Sequence, residues 1–166
     1  IYFAFYGTSK LRRVSIPNTV TSFGTRLFNS SGVQKVTSPV HDIGTYYGGN
    51  YRSIKIREGV TSIGTEAFDD CGLVKAIIPS TVTSIGDYAF QYCTSLATVS
   101  HTDSILDIGN GAFYDTGLTS FTLPSGVTKI KGLTFHGCKL TSFNITGAIT
   151  EMGDSAFANC TRIETL

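Results

Sequence analysis

The chain has 166 residues, is 41% hydrophobic but only 15% charged, and carries a formal net charge of +1. That length supports one folded domain with a core, and the near-neutral charge argues against nucleic acid as the main partner. No apolar run approaches the roughly 18 residues of a membrane span, so no span is expected in it.

One pattern of about 22 residues runs from end to end. The first copy is partial and enters at Ala4-Phe5. A strand phrase, apolar-x-x-apolar-x-apolar, follows at Leu11-Val14-Ile16. It returns at Val33-Val36, Tyr51-Ile54-Ile56, Leu118-Phe121-Leu123 and Leu140-Phe143-Ile145. Within it every second residue faces inward. Pro17, Pro39, Pro79 and Pro124 fall just after these strands, where a residue without an N–H ends a ladder. Next comes an apolar residue (Val20, Val40, Val60, Val82, Ile105, Val127, Ile149) at intervals of 20 to 23 residues. A second follows three residues later: Phe23, Ile43, Ile63, Ile85, Ile108, Ile130 and Met152. Glycine then recurs at Gly24, Gly44, Gly64, Gly86, Gly109 and Gly153, with Lys131 as the exception. Such a glycine predicts positive φ or close approach of the next coil.

A small residue and Phe come next, as in Ala67-Phe68, Ala89-Phe90, Ala112-Phe113 and Ala156-Phe157. This stretch predicts a short helix or 3₁₀ turn on the outer side, with its Phe plugging the core. The copy from Ser38 to Lys55 is short and glycine-rich (Tyr46-Tyr47-Gly48-Gly49-Asn50), so an irregular outer segment is expected there. The last copy stops in a strand phrase with Ile163 and Leu166. Neither end carries a polar cap, which a solenoid needs, so the chain is expected to be a fragment of a longer protein or to meet another molecule at its ends.

Repetition at this period predicts a solenoid in which no repeat buries its apolar face alone. The expected fold is a β-rich α/β solenoid, a right-handed superhelix with a parallel sheet on one face and short turns, 3₁₀ or helical pieces on the other. It should form one domain over residues 1–166, of about seven to eight repeats. The strand phrase is that of leucine-rich repeats, with Val, Ile and Phe replacing many leucines. The Ile-Gly-x-x-Ala-Phe-x-x-Cys segment, as in Ile85 to Cys93, resembles the BspA-like, or Treponema-type, leucine-rich repeat. The resemblance covers essentially the whole chain. It implies a secreted or surface-anchored protein, of which some relatives are adhesins for host matrix or plasma proteins.

Catalytic and metal chemistry find little support. No CxxC occurs, which removes the usual zinc and redox spacings. His41, His101 and His136 fall at three different repeat positions, so no metal site is expected. No Ser-His-Asp pattern suggests a triad, and Gly109-Asn110-Gly111 is a repeat glycine with a neighbour rather than a phosphate loop. No cofactor is expected. Cys71, Cys93, Cys138 and Cys160 each follow a Phe by three residues. Adjacent coils lie within a disulfide's reach, so Cys71–Cys93 and Cys138–Cys160 bridges are open in an oxidising compartment. The alternative is four buried thiols acting as small apolar residues. Sequons at Asn29, Asn144 and Asn159 matter only if the source glycosylates.

The outward strand positions should stack into columns. One reads Arg13, Lys35, Ser53, Lys75, Thr98, Ser120, Ser142; its neighbours begin Arg12, Gln34, Arg52 and Ser15, Thr37, Lys55. Basic residues therefore collect in the first four coils and hydroxyls in the last three. Arg12, Arg13, Lys35, Arg52, Lys55 and Lys75 are the candidate ligand-binding residues. Stacked like charges repel, and such a cluster could steer an acidic or host extracellular protein onto the sheet. The plainer reading is a solvated face that keeps the sheet soluble. A non-catalytic recognition module is expected, with a structural spacer or the recognition arm of a larger enzyme as alternatives.

Overall fold

The computed structural model describes residues 7–8, 13–15, 22–23, 35–37, 53–56 and 58–164. Its strands, in chain order, are β1 (Arg13–Ser15), β2 (Ser22–Phe23), β3 (Lys35–Thr37), β4 (Ser53–Lys55), β5 (Ser62–Ile63), β6 (Lys75–Ile77), β7 (Ser84–Ile85), β8 (Thr98–Ser100), β9 (Asp107–Ile108), β10 (Ser120–Leu123), β11 (Lys129–Ile130), β12 (Ser142–Ile145) and β13 (Glu151–Met152). All described pairings are parallel. The longer strands form the principal face, in three sheets: β1-β3, β4-β6-β8 and β10-β12. The two-residue strands form a second ladder, β2-β5-β7-β9 and β11-β13. The molecule is a parallel-sheet solenoid, as the repeat predicts.

The predicted columns hold wherever pairing is described: Arg13 opposite Lys35, Ser53 opposite Lys75, Lys75 opposite Thr98, and Ser120 opposite Ser142. One difference concerns the glycine-rich copy. β2 pairs directly with β5, placing Phe23 opposite Ile63, whereas the repeat order predicts Ile43 as the neighbour of each; Ile43 lies outside the described residues. The irregular segment expected at residues 46–50 lies outside the described residues.

Alternation makes the principal strands. In β10, Ser120 and Thr122 are exposed while Phe121 and Leu123 are buried. Inside, Phe68, Phe90, Phe113, Phe135 and Phe157 stack ring over ring, with centroids 5.1, 5.5, 5.5 and 5.4 Å apart and planes within 12° of parallel. The column Ile63, Ile85, Ile108 and Ile130 lines the second ladder and is fully buried.

Of the alternatives for the outer side, turn is what the chain adopts; no helix occurs among the described residues. Each outer turn carries two residues at positive φ, four apart: Glu66 and Asp70, Tyr88 and Tyr92, Gly111 and Asp115, Leu133 and Gly137, Ser155 and Asn159. The left-handed residues redirect backbone amides out of the turn and along the stack. Glu66, Phe68 and Asp70 N–H donate to the carbonyls of Asp87, Ala89 and Gln91 at 2.8–2.9 Å. Phe90, Phe113 and Phe135 repeat the bond to Ala112, Thr134 and Ala156. A left-handed residue costs roughly 1–2 kcal/mol when it is not glycine, and each inter-coil bond returns about 1 kcal/mol. The turn is thus a third ladder, one a helix could not make because its amides would bond internally.

Close approach, not positive φ, explains the recurring glycine. A Cβ on Gly86 would lie 2.6 Å from Thr65 N, and one on Gly153 2.4 Å from Gly132 N, both backbone atoms of the preceding coil.

Candidate ligand-binding face

Most described outward residues of the principal face are exposed, with Ser53 and Ile77 half-buried. Lys55 and Lys75 stand on it in adjacent strands, and neither has a carboxylate partner among the described residues. Arg13 and Lys35 are opposite one another by backbone register. Arg12 and Arg52 lie outside the described residues. Beyond Lys75 the columns turn to hydroxyls and amide: Thr98, Ser120 and Ser142 in one, Ser100, Thr122 and Asn144 in the next, all exposed. The described ion pairs sit on the other ladder, Lys129–Glu151 at 2.8 Å and Lys131–Asp107 at 2.8 Å. Lys55 and Lys75 on the principal face are thus without a carboxylate partner among the described residues, while Lys129 and Lys131 beside the second ladder are paired.

The cysteines are free and buried, the thiol arrangement of the two that the sequence leaves open. Their position in the repeat explains it. The Cys93, Cys138 and Cys160 thiols donate to the carbonyls of Phe68, Phe113 and Phe135, one coil back, at 3.0, 3.1 and 2.9 Å. Thr116 holds the same place in its coil and bonds the Cys138 sulfur at 3.2 Å. Burial pushes the Cys71 thiol up to about 12, with Asp69 and Asp70 pushing the same way, and burial likewise raises Cys93. A thiol held protonated is a poor nucleophile. Protein unfolded without reductant should show all four cysteines reactive toward a thiol reagent, and the native protein should react far more slowly. Two titratable thiols after unfolding would mean that a bridge forms after all.

The histidines are not brought together. His136 lies on the outer turns, stacked on Tyr114 with centroids 4.6 Å apart and planes 3° from parallel, its Nε2 3.1 Å from the Asn159 amide nitrogen. His101 takes the inward place that Ile78 and Leu123 fill in adjacent coils. It is half-buried, with its ring 5.0 Å from that of Phe121 and its Nδ1 3.0 Å from the Thr102 carbonyl. His41 lies outside the described residues. Among the described residues no three His, Cys, Asp or Glu side chains converge as a metal site would require, and no helix is long and apolar enough to cross a membrane.

One feature of the face was not foreseen. Both ladders break at the same junction: β8 does not pair with β10, nor β9 with β11. Ile78 N to Ser100 O (2.7 Å), Thr141 N to Thr119 O (2.8 Å), Leu106 N to Thr83 O (2.9 Å) and Gly153 N to Ile130 O (2.7 Å) join equivalent positions at other junctions. None of the four has a counterpart here, where all the residues are described. The outer turns stay joined through Gly111 N–Gly132 O, Phe113 N–Thr134 O and Asp115 N–His136 O, at 2.8–3.0 Å. The coils thus open on the sheet side like a book held at its spine. Lys131 supplies a cause. It stands where the repeat has glycine, and a Cβ at that position meets the backbone of the coil before. Phe121 and His101 supply another, placing two rings where earlier coils have Ala76 and Ile78. Side chains bridge the gap instead: Asp103 accepts from Ser125 N at 2.6 Å and from the Ser125 hydroxyl, and Lys131 reaches Asp107. Those Ser125 bonds hold the Asp103 carboxyl below its usual range. In sequence, the signals were the lysine in the glycine column and the histidine in an apolar one.

The sequence matches the BspA type leucine-rich repeat region in six copies, over residues 2–47 and 42–164. A leucine-rich repeat protein from Eubacterium ventriosum has a crystal structure matching 68% of this chain at 28% identity and a TM-score of 0.63; the match is 30% of that protein's chain. A leucine-rich cell surface protein from Faecalibacterium prausnitzii matches 93% of this chain and 38% of its own, at 24% identity and a TM-score of 0.53. The pneumococcal vaccine antigen PcpA matches 92% of this chain and 49% of its own, at 13% identity and a TM-score of 0.50. The last two likenesses concern the fold alone. Among proteins with curated descriptions, none matches. The chain spans about a third of the first two of these structures, and by its repeats it belongs to the BspA type leucine-rich repeat family.

Proposed function

We propose that this chain is a non-catalytic recognition module that binds a protein ligand through the principal face, at the cell surface or after secretion. The observation that carries the reading is the exposed pair Lys55 and Lys75 on adjacent strands, with no carboxylate partner among the described residues. Arg13 lies opposite Lys35. Like charges side by side cost stability, and an acidic partner arriving on this face would offset that repulsion. Membership of the family supports a binding role, and the cell surface description of the Faecalibacterium prausnitzii protein is consistent with the location. Arg12 and Arg52 extend the same patch by their place in the repeat, and residues 1–166 act as one repeat domain in this reading.

The test is charge reversal. Wild type and the triple variant Arg13→Glu, Lys35→Glu, Lys75→Glu are compared for retention on immobilised host matrix proteins at low and high salt. The variant should lose at least tenfold in affinity, and wild-type binding should weaken as salt screens the patch. Equal retention of both would leave a structural spacer as the better account.

A further inference from the structure

We propose that the opening between β8 and β10 is a binding site for a neutral carbohydrate. The site continues the columns beyond Lys75, which lies opposite Thr98, and differs from their basic part in chemistry. It is a cleft of about 540 Å³ in the sheet face, lined by Ser100, His101, Asp103, Ser120, Phe121 and Thr122 among others. Pockets for small ligands fall in this size range.

The lining selects the ligand class. Asp103 is the only acidic side chain in the lining, and both its oxygens already accept from Ser125. No lysine or arginine lines the cleft, so an anion finds no fixed countercharge and a cation finds a carboxylate already engaged. The hydroxyls of Thr98, Ser100, Ser120 and Thr122 have no hydrogen-bond partner among the described residues. Each offers a donor and an acceptor, the pairing that sugar hydroxyls complete. His101 adds a directed polar atom. Its Nδ1 faces the Thr102 carbonyl at 3.0 Å; a carbonyl only accepts, so Nδ1 donates there and Nε2 is the ring nitrogen left for a ligand. Phe121, buried beneath, makes the floor apolar.

A polypeptide strand is the competing occupant, because both facing strands lack a ladder partner here. It does not fit between them. β8 and β10 still come within 8 Å of each other by Cα, whereas an intercalated strand needs two ladder spacings, about 9.6 Å. The opening also costs the stack four backbone bonds made at its other junctions. It follows from Lys131 and His101, two departures from the repeat whose own contacts, with Asp107 and with Phe121, do not replace those backbone bonds. Local departures from the stabilising pattern are where function is expected.

The experiment is a titration of the whole chain with lactose, maltose, cellobiose and N,N′-diacetylchitobiose, each to about 10 mM, following backbone amide resonances. Affinities on the order of 1 mM suit so open a site. Saturable shifts confined to Ser100, His101, Ser120 and Thr122 are expected with at least one sugar. They should weaken tenfold or more in Thr98→Val/Thr122→Val, which removes two hydroxyls and keeps β-branched residues in the strands. Unchanged resonances elsewhere show that the variant is folded. No saturable shift with any of the four sugars, or equal affinity in the variant, overturns the proposal. So does saturable binding of an extended oligoserine peptide without any of the sugars. The basic residues take no part in this assay, so its failure leaves the protein-ligand reading standing.

Discussion

Phe90→Ala should lower the unfolding free energy by about 3–5 kcal/mol, the range for removing a fully buried aromatic ring. Phe90 is 0% exposed and stacks on Phe68 at 5.1 Å and on Phe113 at 5.5 Å. Removing it leaves a void between two coils and ends ring contact on both sides at once. In a solenoid, stability comes from neighbour interfaces more than from any single repeat, so a mid-stack defect weakens two of them. Phe157→Ala is the control. That ring is half-buried and has only Phe135 below it in the same column, and its loss should cost clearly less. Urea unfolding of the two variants beside wild type decides the matter. A Phe90→Ala cost under about 1 kcal/mol would remove the phenylalanine stack as the principal support of the core.

Gly109→Ala should be comparably damaging, at about 3 kcal/mol, for a different reason. The new Cβ would fall 2.4 Å from Asp87 N and 2.5 Å from the Gly86 carbonyl carbon. Backbone cannot rotate aside as a side chain does, so the coils must part. Parting them breaks Gly109 N–Ile85 O and Asn110 N–Asp87 Oδ1, both 2.8 Å. Gly132→Ala provides the comparison, because the nearest atom there is Asp154 O at 3.3 Å; its cost should stay within about 1 kcal/mol. Equal costs for the two substitutions in chemical denaturation would sink the close-approach account.

Much of this architecture was legible from spacing. Residues that recur at one position of a repeat must superpose when the coils stack, and the pairings Lys75 with Thr98 and Ser120 with Ser142 follow from that alone. The buried Phe and Cys columns follow in the same way. The outer turn was less legible. Glu66, Tyr88 and Leu133 adopt positive φ although their side chains favour helix or strand, and among the described turns Gly111 alone marks the place with a glycine. The inter-coil bonds that hold them there are tertiary, and local propensity does not report them. Of the candidate site, the charge pattern could be read from the sequence but the cleft could not. Lys131 was visible as an exception to the glycine column; that it parts two ladders at once depends on which backbone atoms lie beneath it.

The split at β8 and β10 also bears on how the molecule yields. Cooperativity in a stacked array passes from each unit to the next. At this junction it passes mainly through the spine, by way of Gly111, Phe113 and Asp115, with the rings of Phe113 and Phe135 meeting behind them. The coils on the two sides are thus two blocks in series with a compliant joint between them. A bending load would gather its strain there, and the last coils could loosen while the preceding ones kept their order.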